Sequence, residues 1–302
     1  MIKLPTEKTP VLCQGITTEK GAIHVERALA YGTSIVAGTS KDTSVRNYAG
    51  IPVFRTVREA VRKTNPAVSV VFSTPARALA DVEEAIRAKI PLIVCTTEHV
   101  PLHDVLKMIV SARRQGVTLI GPSSPGIVRV GEALVGSIPA HLFPKGDVAV
   151  VGRSSSLIYE AVQQLAEEGL GVSTCISLGA APLVGTSFGD VLEPLMKDKN
   201  TKALLMIGQL TGDFEQELAN LYRQVRRKKP MAVYIPGQTW EGRLYVPLLG
   251  VETARPEKII AEKKKALIKA GAVWIESVAE LGKTVARIRD SKSSKQKMLD
   301  KI

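Results

Sequence analysis

Aromatic residues are scarce in this chain: 4% of its 302 residues are Phe, Trp or Tyr. No apolar run reaches the roughly 18 residues a bilayer requires, so no membrane span is expected. The first ten residues, MIKLPTEKTP, lack the apolar centre of a secretion signal and the Arg- and Ser-rich character of a transit peptide. Cysteine is rare as well. Cys13, Cys95 and Cys175 stand far apart in strand-like runs, which suits reduced thiols in a cytoplasmic protein and offers no metal spacing. The four histidines are His24, His99, His103 and His141, and none follows. Acidic residues are in the minority, 29 against 41 Lys and Arg, a net charge of +12. Much of the excess sits in Arg223, Arg226, Arg227, Lys228 and Lys229, in Lys263 to Lys265, and in the tail SKSSKQKMLDKI. No aromatic-interleaved basic stretch or DNA-binding motif accompanies it, so solvated helix faces and a frayed tail are expected, with neither nucleic acid nor membrane as partner. The dinucleotide fingerprint G-x-G-x-x-G is missing, and no acidic residue closes the second strand near Gly38. That argues against a nicotinamide-dependent oxidoreductase.

What is present is a regular alternation. Strands are expected over 10–14, 34–38, 68–73, 91–96 and 117–121, and helices over about 21–31, 56–63, 78–88 and 102–115. Gly-Pro punctuation takes over in 120–146. The alternation restarts at "DVAVVG" (147–152), with helices over 155–169, 187–197, 213–227, 257–270 and 277–289 and strands over 172–178, 203–208, 231–235 and 272–276. The pattern predicts two successive doubly wound parallel sheets, an α/β fold. Residues 1–122 form the first domain, 123–146 a linker, 147–290 the second domain and 291–302 a basic tail.

Ligands of such sheets bind beyond the carboxyl ends of the strands, where helix N-termini point amides at anions. Four loops lie there: "QGITTEKG" (14–21), "CTTEHVP" (95–101), "VGRSSSLIYE" (151–160) and "IGQLTGDFEQE" (207–217). Each has a plain reading. The first is also an ordinary strand–helix turn, Ser154 to Ser156 are good N-caps, and Glu98 complements a helix dipole.

Taken together, "CQG.T..G..H", "AYGT..V.G", "TEH.P", "IGP.SPG", "V.RS..L.YEA", "MIG...G" and the final "AL..AG" resemble the α subunit of succinate–CoA ligase, in register over residues 9–288. The resemblance implies an N-terminal CoA-binding Rossmann-like domain and a C-terminal flavodoxin-like ligase domain. It also implies CoA as cofactor and a β subunit with an ATP-grasp nucleotide site. The chemistry it implies passes a phosphoryl group from nucleotide to a histidine, then to succinate, and exchanges it for CoA.

The sequence departs from the family where that chemistry lies. The Gly-His-Ala-Gly motif expected after "MAVYIPG" is replaced by "QTWEGRLYVPLLGVE" (238–252), which puts Leu248 near the place of the histidine. Neither Val246, Pro247 nor Leu248 offers a nucleophilic nitrogen. Tyr245 is a poor nucleophile at neutral pH, and packing is its expected role. The acid expected to hold the histidine is Gln209. The Ser-Gly-Thr cradle reads Ser154-Ser155-Ser156, in which Ser155 narrows the approach. Thr43 aligns with a family lysine, with Lys41 two residues away.

The resemblance carries CoA contacts to Thr17, Thr18, Glu19, Lys20 and Gly21 and to Thr96, Thr97 and Glu98. Thr18 replaces a glycine of the family's Thr-Gly-x-x-Gly. Glu19 opposes an anion, at about 1 kcal/mol beside a solvated phosphate. Weakened CoA binding is therefore expected. Tyr159, in the family a succinate-side residue near the β subunit, either faces a partner or packs with Val162. The Tyr159 helix and residues 185–188 are expected to line a partner contact. Two functions follow: a noncatalytic α-subunit homologue, structural, regulatory or acyl-CoA-binding, or an active acid–CoA ligase subunit working without phosphohistidine.

Overall fold

The computed structural model describes residues 2–240, 244–246, 251–253 and 255–299. The chain divides into two compact units, Met1–Leu142 with Ile176–Thr186 and Phe143–Cys175 with Ser187–Ile302. The first carries β1 (Val11–Gln14), α1 (Glu19–Ala30), β2 (Ile35–Thr39), β3 (Asn47–Tyr48), β4 (Ile51–Phe54), α2 (Val57–Thr64) and β5 (Val68–Val71). It continues with α3 (Pro75–Arg87), β6 (Leu92–Cys95), α4 (Leu102–Gln115), β7 (Thr118–Ile120), β8 (Gly126–Arg129) and β9 (Ala133–Gly136).

The first sheet has the order β3-β4-β2-β1-β5-β6-β7, parallel except for the antiparallel edge strand β3. β1, β5 and β6 are buried along their whole length, as parallel strands covered on both faces must be. The direction of growth reverses between β1 and β5, which opens a crevice beyond their carboxyl ends. The short strands β3 and β4 went unforeseen because "NYAGIPVF" carries Gly and Pro where a longer strand would carry apolar residues. Residues 123–146, expected as a linker, hold the antiparallel hairpin β8–β9. Thr33 ties that hairpin to the first unit, its hydroxyl donating to Leu134 O and accepting from Leu134 N (3.0 and 2.8 Å).

The second unit carries β10 (Lys145–Gly152), α5 (Ser155–Glu167), β11 (Val172–Ser177), α6 (Phe188–Lys197), β12 (Ala203–Ile207), α7 (Phe214–Gln224) and β13 (Met231–Tyr234). Then follow β14 (Leu244–Val246), β15 (Val251–Thr253), α8 (Pro256–Ala270), β16 (Val273–Trp274) and α9 (Leu281–Leu299). Its strands run in the order β11-β10-β12-β13-β16, with parallel pairing from β10 through β12 and β13 to β16. This is the flavodoxin-like order, with its reversal between β10 and β12. Arg289 of α9 forks onto Asp147 of β10 (3.0 and 2.9 Å). α9 continues to Leu299, so helix runs through most of the stretch expected as a frayed tail.

Several expectations change on contact with the fold. α1 begins at Glu19, two residues before Gly21, because Thr18 caps it in extended conformation. α3 begins at Pro75 after Thr74; a threonine followed by a proline at the first helical position is a start signal. Phe188, expected at a partner contact, is fully buried, and at the start of its helix Asp190 accepts from Ser187 N (2.7 Å).

The turn between β1 and α1 is close-packed. Gly15 sits at φ +78°, and a Cβ there would lie 2.3 Å from Phe72 O. A Cβ on Gly21 would lie 2.1 Å from Gly15 O. Gly32, at φ +92°, has open space instead. Gly32→Ala is therefore expected to cost the left-handed strain alone, about 1–2 kcal/mol. Gly15→Ala adds a backbone clash and should cost at least twice as much in urea unfolding; equal losses would contradict this packing.

Candidate functional site

In the first unit the site residues lie beyond β1, β2, β5 and β6. Thr18 uses its hydroxyl inside the turn, donating to Gly15 O (2.8 Å) and accepting from Gly21 N (3.1 Å). Neither the Thr18 hydroxyl nor the Gly21 amide is thus available to a phosphate, contrary to the expectation. Helix geometry leaves the amides of Glu19 and Lys20 without intrahelical acceptors, and both side chains are exposed. Thr17 and Ser40, at the ends of β1 and β2, share a hydrogen bond of 2.6 Å. Thr43 and Lys41 are exposed in the same second loop. Asp42 is held below its ordinary pKa by the Ser44 hydroxyl and amide (2.6 and 2.9 Å).

The β6 loop is committed in the same way. The Thr96 hydroxyl donates to Val71 O (2.8 Å) and that of Thr97 to Ser73 O (3.0 Å). These threonines brace the end of β5 and present lone pairs, not protons, to a ligand. α4 begins only at Leu102, so Glu98 lies outside its first turn and the expected dipole pairing is absent. The β5–α3 loop lies between the two predicted loops, since β5 pairs with both β1 and β6, and is not among the four loops expected from the sequence. Its Ser73 donates to Asp81 (2.5 Å), which also pairs with Arg77 (2.9 Å). The Thr74-Pro75 start signal marks it. His24 stacks on Phe72 (5.3 Å), and burial, then Arg27 and Lys20, hold its pKa below the ordinary value, favouring the neutral ring.

In the second unit Ser154 caps α5, with Leu157 N at 3.5 Å, and Ser155 and Ser156 form the first turn. Tyr159 packs edge-on against Phe143 (6.3 Å), and burial pushes its pKa up to about 12. Such a phenol stays protonated at neutral pH.

Beside this loop lies a charged cluster that the sequence did not announce. Arg153, Glu215 and Lys263 are 3%, 1% and 0% exposed. Lys263 Nζ reaches Glu215 Oε2 (2.7 Å) and donates to Gln209 O (2.8 Å), while Gln209 N donates to Glu215 Oε1 (2.8 Å). Arg153 stands over the Phe214 ring (5.2 Å); burial lowers its pKa to about 10, against the charge of Glu215. Among the described residues the Gln209 Oε1 atom is buried with no hydrogen-bond partner. Lys263, expected on a solvated face, is thus a core residue; Lys228 and Lys229 likewise donate to carbonyls at Ala270, Leu195 and Asp198. Leu248 lies outside the described residues.

Comparison with known proteins agrees with both halves. A CoA binding domain model matches residues 6–99, and a succinyl-CoA ligase-like flavodoxin domain model matches 145–288. The chain is 39% identical over 291 residues to the succinate–CoA ligase [ADP-forming] subunit alpha of Aquifex aeolicus, covering 95% of each. The chain belongs to the succinate–CoA ligase α-subunit family. It is also 38% identical to subunit alpha 2 of Archaeoglobus fulgidus, covering 93% of this chain and 98% of that one. Among solved structures, ATP citrate lyase from Methanothrix soehngenii, in complex with citrate and coenzyme A, shares the fold at TM-score 0.79 and 18% identity. That match covers 96% of this chain, which spans about half (51%) of the lyase. A dinucleotide-forming acetyl-CoA synthetase of Ca. Korarchaeum cryptofilum gives 0.74 at 16% identity, over 90% of this chain and 58% of its own.

As a succinate–CoA ligase α-type chain, this protein has a CoA-binding first unit and a flavodoxin-like second unit. Among the described residues no group of His, Cys, Asp and Glu is placed to hold a metal, and no helix is long and apolar enough to cross a membrane. The three cysteines are buried free thiols whose pKa values burial raises, that of Cys95 to about 11. They are poor nucleophiles at neutral pH.

Removing one partner of the buried pair strands the other. Lys263→Met is expected to cost about 3–5 kcal/mol in urea unfolding, while the double variant Lys263→Met/Glu215→Leu should recover much of that loss. A single-variant cost below about 1 kcal/mol would show that the pair is not a structural anchor.

Proposed function

We propose that the chain is a CoA-binding α-type subunit that forms no phosphohistidine and serves a β-type, ATP-grasp partner as a noncatalytic structural, regulatory or acyl-CoA-binding subunit. The observation that carries this reading is that no histidine follows His141, so the second unit has no imidazole to phosphorylate. The linked change at Gln209 supports it. A carboxamide cannot take a proton from an imidazole or balance an imidazolium. The nearby carboxylate, Glu215, is already paired with Lys263 (2.7 Å). A β-type partner is supported by the relatives, which are themselves named as alpha subunits. The exposed Glu160, one residue beyond Tyr159 on α5, is the side of that helix proposed to face it.

For CoA, the proposed phosphate contacts are the Glu19 and Lys20 amides, the Thr17 hydroxyl and the Lys20 and Lys41 side chains. Thr96, Thr97 and Glu98 are proposed as acceptors for donor groups of the same ligand. Glu19 opposes the phosphates and Thr43 adds no charge. The loss of one or two charge-assisted hydrogen bonds, at roughly 1.5–3 kcal/mol each, weakens binding by an order of magnitude or more.

Calorimetry with CoA should give weak, saturable binding that Glu19→Gln tightens and Lys20→Ala loosens. No heat at about 1 mM CoA, near −4 kcal/mol, would make the site a relic. Tight binding indifferent to both substitutions would displace the proposed phosphate contacts. Labelled ATP and a β-type subunit should leave no acid-labile, base-stable phosphate on this chain. Stoichiometric phosphohistidine would overturn the noncatalytic reading, and acyl-CoA formation without it would select the ligase route that bypasses a phosphoenzyme.

A further inference from the structure

The outer face of the first unit holds a groove that the CoA site does not use. β5, β6 and β7 are parallel, so the helices α3 and α4 that join them run side by side in one direction. Their buried faces are Ala78, Val82, Ala85 and Ile86 on α3 and Val105, Met108, Ile109 and Ala112 on α4. Two outer ridges at i, i+4 spacing remain: Leu79, Glu83 and Arg87 on one side, Leu106, Val110 and Arg114 on the other. They wall a groove of about 650 Å³. Leu102, one turn before Leu106, extends the second ridge, and Leu102, Leu106 and Val110 are 55%, 52% and 39% exposed. Single exposed apolar residues are ordinary; two leucines and a valine on successive turns beside a groove form a patch.

The charges around the patch have one sign in excess. Arg87, Lys107 and Arg114 line the groove with a single carboxylate, Glu83, which pairs with Arg87 (3.5 Å), while Asp104 on α4 pairs with Lys107 (3.8 Å). Arg114 has no acidic partner among the described residues. Because the helices are parallel, Arg87 and Arg114 share one end of the groove, near both C-termini, and the leucines occupy the other. We infer that this groove docks an amphipathic helix of a partner protein, with apolar residues at i, i+4 and carboxylates toward one end. A ridge at i±4 spacing receives a second helix by interdigitation. Two other occupants fit less well. A second copy of this chain, meeting it by the same face, would bring the same cation excess, with its carboxylates Glu83 and Asp104 already paired to Arg87 and Lys107. A membrane surface is matched by a broad convex apolar face, whereas this one is a concave groove between two helices.

The test uses the whole chain and a fluorescein-labelled amphipathic peptide of about 18 residues, about five turns, with Leu at i, i+4 spacing and flanking Glu. Saturable anisotropy is expected, weakened about tenfold or more by Leu106→Asp and by Arg114→Glu, each about 1.4 kcal/mol. A peptide with Lys in place of Glu should not bind, and added salt should weaken the Glu peptide. CoA affinity should be the same in both variants, which separates this groove from the CoA site. No saturation, equal binding of a scrambled peptide, or variants that bind as wild type would overturn the inference. So would flotation with phosphatidylserine vesicles, or a sedimenting dimer, abolished by Leu106→Asp.

Discussion

Lys263 lies on α8 with none of its surface in water, and its ammonium group meets Glu215 at 2.7 Å and the carbonyl of Gln209 at 2.8 Å. Taking two charges out of water costs several kcal/mol for each ion, so neither partner can leave the other behind. Three elements are thereby fixed in register: the end of β12, the first turn of α7 and the middle of α8. Glu215 also receives the Gln209 amide, which sets the backbone of the loop beyond β12. Phe214, next to Glu215, places its ring under Arg153 at the end of β10. The reversal between β10 and β12 is thus lined by a preorganised, net-cationic set of side chains with an uncharged carboxamide at its edge.

The first unit reaches a comparable rigidity with neutral groups. Thr18 closes the β1–α1 turn, and Thr96 and Thr97 clamp the end of β5. Each hydroxyl does so by giving its proton to a backbone carbonyl. A hydroxyl so committed can still accept, but it cannot donate to a phosphate. The donors left at this crevice are backbone amides at the head of α1, the Thr17–Ser40 hydroxyl pair and solvated lysines. Such a site relies on helix geometry more than on side-chain contacts.

The alternation of strands and helices was legible because parallel strands buried on both faces read as apolar runs, and the helices between them carry a clear apolar stripe. Two helix starts were less legible: Thr18 before Glu19 and Thr74 before Pro75 are start signals, and the apolar periodicity alone places these helices two and three residues too late. The β8–β9 hairpin was lost in a Gly-Pro-rich stretch whose composition reads equally as linker. At the candidate site, residue identities were legible and hydrogen-bond directions were not. Thr18, Thr96 and Thr97 are CoA contacts by resemblance, and the fold commits their hydroxyl protons to backbone carbonyls. Lys263 was hidden because a lysine in a basic helical run is nearly always solvated.

The net charge of +12 divides accordingly. Lys263 is neutralised in the core, Arg289 is bound to Asp147, and Lys228 and Lys229 donate to carbonyl groups, two of them at helix ends. Those cations hold elements together and offer little to a partner. Lys20 and Lys41 stand exposed at the crevice beyond β1, and Arg87, Lys107 and Arg114 stand exposed around the α3–α4 groove. Two separate surfaces of the first unit therefore present positive charge, one backed by helix amides and one by leucines. Amides and lysines suit a small polyanion, whereas leucines rimmed by arginines suit an acidic amphipathic helix. A single count of basic residues cannot distinguish these roles; the neighbours of each cation do.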